Sequence, residues 1–170
     1  MKLSLALLSA GLIGLGAAGA SFGAVPSPDK TFATKAAQGG LAEVQTGQLV
    51  RQKNASPQAK QFAQTLVQDH TQANDQLQQI AQQKNLNLPQ QPSANELSET
   101  KKLGGLSGAQ LDKQFARYEV QDHKKDIAMF EKEAKSGKDP DLKDFAQKTL
   151  PVLRKHLQMA QALQNNAQQQ

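Results

Sequence analysis

The residues with the chemical means to hold a ligand are few and evenly spread. The chain has three histidines, His70, His123 and His156. Each falls on the apolar side of its own helical stretch. At about 100° per residue, Ala59, Ala63, Leu66, Val67, Ala73, Leu77 and Ala81 lie within roughly 60° of His70. Ala116, Glu119, Val120, Ile127, Phe130 and Ala134 stand in the same relation to His123, and Phe145, Val152, Leu153, Ala160 and Leu163 to His156. A fourth stretch carries Glu43, within roughly 20° of Phe32, Ala36 and Val50. Glu119 lies one turn before His123.

This pattern supports two readings. In the first, Glu43, His70, Glu119, His123 and His156 are metal ligands, because neutral imidazoles and carboxylates suit Zn, Fe, Mn or Cu. Asp69, Asp122 and Asp126 point less directly inward and either orient the rings or face water. In the second, the same residues form a polar layer. Each histidine is then hydrogen-bonded to Glu43, Glu119 or a backbone carbonyl, and the layer sets the register of the helices.

Other chemistries find less support. There is no nucleophile elbow, phosphate-binding loop or HExxH motif. Asp69-His70 and Asp122-His123 are sequence neighbours, so on a helix they point about 100° apart and make poor catalytic dyads. No catalytic residue is assigned, and a non-enzymatic role is expected. The absence of cysteine excludes disulfides, thiolate metal sites and a lipoprotein anchor. The net charge is +5, but the Lys and Arg residues are scattered over all the helices without interleaved aromatics. That describes solvated helix faces rather than a nucleic-acid surface.

Four helices must position these residues. Aromatics make up only 4% of the chain, against 38% hydrophobic residues, which favours close-packed helices over a sheet sandwich. The first helix is expected from about Lys30 to Asn54, capped by Ser27 or Asp29, with Gly39-Gly40 marking a kink or a close approach. The second begins at Ser56-Pro57 and continues to about Lys84. Asn85 to Gly108, broken by Pro89, Pro92, Gly104-Gly105 and Gly108, is a long connection with room for a short helix over Asn95–Leu103. The third runs from about Ala109 to Lys135 and stops at Ser136-Gly137. The fourth opens at Asp139-Pro140, runs to about Gln164 and meets a kink at Pro151.

Helices two and four begin alike. Ser56-Pro57-x-x-Lys60-x-Phe62-Ala63-Gln64 matches Asp139-Pro140-x-x-Lys143-x-Phe145-Ala146-Gln147. Two helical hairpins joined by a long crossover give the expected fold: all-α, a four-helix up-down bundle with one long crossover between helices two and three, a ferritin-like arrangement.

The remaining segments read as follows. Residues 1–20 look like a signal peptide: Lys2, an apolar run from Leu3 to Leu15, then Ala18-Gly19-Ala20 for cleavage. The run is too short and glycine-rich for a stable membrane anchor. Residues 21–28 form a flexible lead-in, 29–165 the domain and 166–170 a polar tail. The expected location is therefore periplasmic or secreted.

The domain resembles the bacterial exported "domain of unknown function 4142" family. The likeness is carried by Phe32 to Val50 with Glu43-Val44, Phe62-Ala63 to Asp69-His70, Leu106-Ser107-Gly108, Tyr118 to Asp122-His123, and Leu150-Pro151 to His156-Leu157. It implies a ferritin-like bundle and an envelope location, and no established activity. The Glu-x-x-His pairs of di-iron proteins are not reproduced, since Val67, Val120 and Leu153 stand three residues before the histidines. The expected function is a non-enzymatic envelope interaction or stress-related module, working with an envelope protein or as a homo-oligomer. The alternative is a metal-binding protein with a Glu/His site in the bundle core.

Overall fold

The computed structural model describes residues 24–169. The expected signal peptide lies outside the described residues. Those that are described form five helices and no strand: α1 (Ser27–Gln52), α2 (Pro57–Gln83), α3 (Ala94–Gly104), α4 (Gly108–Ser136) and α5 (Pro140–Ala167). None of these helices is long and apolar enough to cross a membrane.

Local chemistry sets the helix ends. Ser56 caps α2 by accepting from Ala59 N, and Pro57 occupies the first turn, where its missing N–H costs nothing. Asp139 caps α5 through Asp141 N and Leu142 N. Ser93 and Glu96 form a reciprocal capping box on α3, satisfying two otherwise orphan N–H groups. This is why a helix persists in a connection otherwise broken by proline. The start of α1 differs from expectation. Its N-cap is Pro26, with no side-chain cap, because the Asp29 carboxylate reaches across the molecule instead. It accepts from Lys138 N at 2.8 Å and from Asp139 N. α5 is helical on both sides of Pro151.

α1 packs on α2 and α4 on α5 as the two most extensive helix pairs. Both pairs are antiparallel. Gly40 faces Asn74 and Gly47 faces Ala63 and Val67 across the first. Arg154 Nη2 donates to Glu131 Oε1 at 2.9 Å, and Gln147 Nε2 to the Ala134 carbonyl at 3.4 Å, across the second. Gly47 is required here: a Cβ at this position would stand 2.8 Å from both the Ala63 carbonyl oxygen and Val67 Cγ2. The two hairpins meet through α2 against α5 and α1 against α4, and α3 lies mainly along α1. Thr46 Oγ1 and Thr100 Oγ1 share a hydrogen bond of 2.8 Å across that last contact, and Lys53 Nζ donates to the Gly104 carbonyl at 2.6 Å.

The apolar interior is divided into two clusters. One contains Val50, Phe62, Leu66, Phe115 and Leu163, the other Phe32, Leu77, Phe130, Phe145 and Leu153. The aromatics pack as Phe62–Phe115 (centroids 5.6 Å apart) in the first and Phe32–Phe130 (4.9 Å, edge to face) in the second. On every long helix the sequence passes from one cluster to the other through a buried polar residue. That residue is Glu43 on α1, His70 on α2, His123 on α4, one turn after the buried Glu119, and His156 on α5.

Candidate metal centre

All five expected site residues are brought together in this one layer. Glu43, Glu119, His123 and His156 are fully buried, and His70 is 6% exposed. The three imidazoles form a closed triangle, with ring centroids 5.8 Å apart for His70–His123, 5.3 Å for His70–His156 and 5.3 Å for His123–His156. One nitrogen from each lies within 4.8 Å of the others. A second group, Glu43, Glu119 and His123, meets the same limit with one ligand atom each. His123 therefore stands between two other imidazoles, His70 and His156, on one side and two carboxylates on the other.

The hydrogen bonds give each ring an orientation. His123 Nδ1 lies 3.1 Å from the Glu119 carbonyl oxygen, the acceptor one turn back on α4, so Nδ1–H donates there. His156 Nε2 lies 2.9 Å from Asp69 Oδ2, and Nε2–H donates to that carboxylate. Those two bonds leave His123 Nε2 and His156 Nδ1 as lone-pair nitrogens, and they face each other at 3.3 Å. His70 Nε2 is buried nearby with no hydrogen-bond partner. The arrangement is that of histidine ligands whose far nitrogens are held by a carbonyl or a carboxylate. Tautomers follow here from the hydrogen-bond network.

Burial also sets the charge state. It holds His70 well below the usual histidine range, helped by His123 and His156. Burial likewise lowers His156 to about 4, although Asp69 pulls the other way. Both rings are therefore neutral at pH 7, the form that ligates metal. The carboxylates shift upward. Glu43 is raised well above the usual range by burial and then by Glu119, and Glu119 by burial with Asp122 and Asp126 adding to it. None of the four Glu43 and Glu119 carboxylate oxygens makes a well-formed hydrogen bond, although His123 Nδ1 stands 3.3 Å from Glu119 Oε2.

A cleft of about 190 Å³ between α2 and α5 reaches the histidines from the surface, lined by Asp69, His70, Ala73, Thr149, Val152 and His156 among others. Asp69, expected to orient a ring or face water, does both: it holds His156 and lines the cleft. Asp122 and Asp126 stand on the carboxylate side, near enough to His123 to act on it electrostatically. Sequence reasoning missed two residues there. The Tyr118 hydroxyl is buried without a partner, surrounded by Glu43, Asp122, Glu119 and Glu96. Glu96 of α3 approaches Asp126 over Gly39, whose missing Cβ would stand 3.7 Å from Asp126 Oδ2 and 3.9 Å from Glu96 Oε1. Glu96 carried a signal only as an N-terminal capping residue, and Tyr118 only as the start of one of the family-like stretches, with no role at a site.

Comparison with known proteins agrees with the fold. A crystal structure described as a DUF305 fragment from Deinococcus radiodurans is similar, with a TM-score of 0.74 at 12% identity, covering 85% of this chain and 99% of that one. At that identity the likeness concerns the fold alone. No curated protein matches the sequence. The family model described as a domain of unknown function (DUF4142) matches residues 16–163, and the chain therefore belongs to the DUF4142 family.

Proposed function

We propose that this protein binds a divalent transition metal through His70, His123 and His156. One observation carries the reading: the 3.3 Å separation of His123 Nε2 and His156 Nδ1, with both opposite ring nitrogens already engaged. Two imidazoles on a tetrahedral ion with bonds of roughly 2.0–2.1 Å have their nitrogens roughly 3.3–3.4 Å apart. A direct N–H hydrogen bond prefers about 2.9–3.0 Å and needs a proton that neither facing nitrogen carries in these tautomers. Three imidazoles and an accessible cleft suit Zn, Cu or Fe with one position left for water or a small ligand; Mn is better served by oxygen donors.

The assembly that supports this site is a ferritin-like bundle. Its four long helices, α1, α2, α4 and α5, run up, down, down and up, with the Lys84–Ser107 connection crossing its length and carrying α3. The Asp69–His156 and Gln58–Asn166 bonds support antiparallel α2 and α5, and the Phe32–Phe130 contact taken with the Glu43–Glu119 approach supports antiparallel α1 and α4. The protein acts in the periplasm after export. The charged, apolar and small-residue segments of residues 1–20 support that location.

A second reading has one observation in its favour: 3.3 Å still admits a hydrogen bond between His123 and His156. The layer then only fixes helix register, and the protein is a non-enzymatic envelope interaction or stress-related module. Metal analysis of untagged protein purified from the periplasm decides between the two, together with thermal melts in Zn²⁺, Mn²⁺, Fe²⁺ and Cu²⁺. The metal reading expects one equivalent held by the triad and a large rise in Tm, both lost in His70→Ala. Metal-free protein with a metal-independent Tm supports the register reading.

A further inference from the structure

We infer a second cation position, separate from the histidine triad, between Glu43 of α1 and Glu119 of α4. It takes a hard divalent ion of the Mn²⁺ class. It places a second ion on carboxylates outside the proposed triad and does not rest on the triad being loaded.

The first observation is the state of the two carboxylates. Both residues are 0% exposed, and none of their four oxygens makes a well-formed hydrogen bond, the nearest N–H being His123 Nδ1 at 3.3 Å from Glu119 Oε2. Buried carboxylates in proteins are ordinarily paired with a donor or a cation. These two instead face each other. One oxygen of each, with a nitrogen of His123, falls within a 4.8 Å set; the two oxygens are spaced for a bridging ion, and His123, whose Nδ1–H already donates to the Glu119 carbonyl, borders the position.

The second observation is the surroundings. Asp122, Asp126 and Glu96 add carboxylates on the same side, and the Tyr118 hydroxyl, also unpartnered, stands among them. Lys125 acts on Asp122 and Asp126 only from an exposed position on α4. A proton shared between Glu43 and Glu119 would satisfy two of the four oxygens and leave the others with at most the long 3.3 Å approach of His123 Nδ1 to Glu119 Oε2. A divalent cation engages both carboxylates and offsets the remaining charge. Oxygen donors with a single imidazole nearby suit Mn²⁺ over the softer ions that three imidazoles select. The two sides of His123 therefore sort ions by chemistry.

The test uses full-length mature protein stripped with EDTA and then loaded with Zn²⁺. Mn²⁺ is titrated in while free hexaaqua-Mn²⁺ is followed by its electron paramagnetic resonance signal, and both metals are counted at the end. The inference expects one equivalent of Mn²⁺ beyond the zinc. It expects at least tenfold weaker Mn²⁺ uptake in Glu43→Gln and Glu119→Gln with zinc retained, and the reverse pattern in His70→Ala. Circular dichroism checks that each variant is folded. If a glutamine variant does not fold, Mn²⁺ uptake by the zinc-loaded wild type still decides. No Mn²⁺ uptake, or uptake unchanged in folded Glu43→Gln and Glu119→Gln, overturns the inference and leaves the carboxylates sharing protons. Failure of zinc binding alone, with Mn²⁺ still taken up and lost in Glu43→Gln, overturns the triad reading and not this one.

Discussion

Asp29 and Asp139 are joined across the molecule: the Asp29 carboxylate, in the first turn of α1, accepts the backbone N–H of Asp139, the cap of α5. The same carboxylate takes Lys138 N, so the α4–α5 turn is held by the opposite hairpin. At the other end Asp112 of α4 accepts from Ser56 N, the cap of α2, through both oxygens at 3.2 Å. As many residues separate Asp29 from Asp112 as separate Ser56 from Asp139. The repeated helix starts therefore extend to a reciprocal clamp in which each hairpin fastens the turn of the other.

Both clamps are buried, Asp29 at 1% and Asp112 at 4% exposure. Asp29→Ala leaves Asp139 N without an acceptor, and Asp112→Ala does the same to Ser56 N. Each is expected to cost about 1–3 kcal/mol in urea unfolding. The two losses should add, because the sites lie at opposite ends. Unchanged midpoints in both variants would show that the clamps do not hold the hairpins together.

The clamp marks the limit of what the sequence made legible. Burial of the histidines and of Glu43 followed from helical periodicity, because a 3.6-residue repeat assigns a face without any knowledge of partners. Helix starts at Ser56-Pro57 and Asp139-Pro140 followed from capping chemistry, which is local. The relative height of the two hairpins was not legible, since it is set through space across the Lys84–Ser107 connection. For the same reason the sequence offers Ser27 or Asp29 as a cap of α1, whereas the Asp29 carboxylate accepts from Asp139 N. Glu96 joined the carboxylates only through the docking of α3 on α1, which no periodicity encodes.

Asp69 holds the outer nitrogen of His156 from the edge of the cleft, with 32% of its side chain exposed. Asp69→Asn keeps the size of the side chain and removes its charge. Loss of such a supporting carboxylate typically weakens metal binding by about 10–100-fold. Zinc affinity, measured by competition with a chelating dye, should fall by that factor, while the Tm of the metal-free protein changes little. Equal affinity in the two proteins would mean that His156 needs no outer partner.

Gly39 and Gly47 make opposite predictions under the same substitution. An alanine methyl at Gly47 would run into the Ala63 backbone and Val67, so α1 and α2 must separate. Overpacking of this kind costs roughly 1–3 kcal/mol, more than the helix-propensity gain of about 1 kcal/mol. At Gly39 the added methyl meets only ordinary contacts at 3.7 and 3.9 Å, and the propensity gain remains. Thermal melts should therefore show Gly47→Ala lowered and Gly39→Ala raised. A lowered Gly39→Ala would mean that the Asp126–Glu96 approach has no slack.

Glu133 gives a pH dependence that can be isolated by one substitution. It is 6% exposed near the end of α4, and Oε1 has no partner. Burial first, then the Asp29 and Asp139 carboxylates, push it up to about 7, with Lys143 opposing. Between the usual glutamate value and about 7 the folded protein keeps a proton that the unfolded chain has released. The unfolded state then binds fewer protons, so this group's contribution to stability falls as pH rises through that window. Below it both states are protonated, and above it both are ionised, so the slope is confined there. At 1.36 kcal/mol per unit the change is at most about 3 kcal/mol. Unfolding free energies of wild type and Glu133→Gln, measured by urea from pH 4 to 8, should diverge over this range, with the variant gaining relative to wild type toward pH 7. Parallel curves would place the Glu133 carboxyl in contact with water and remove burial as the source of its shift.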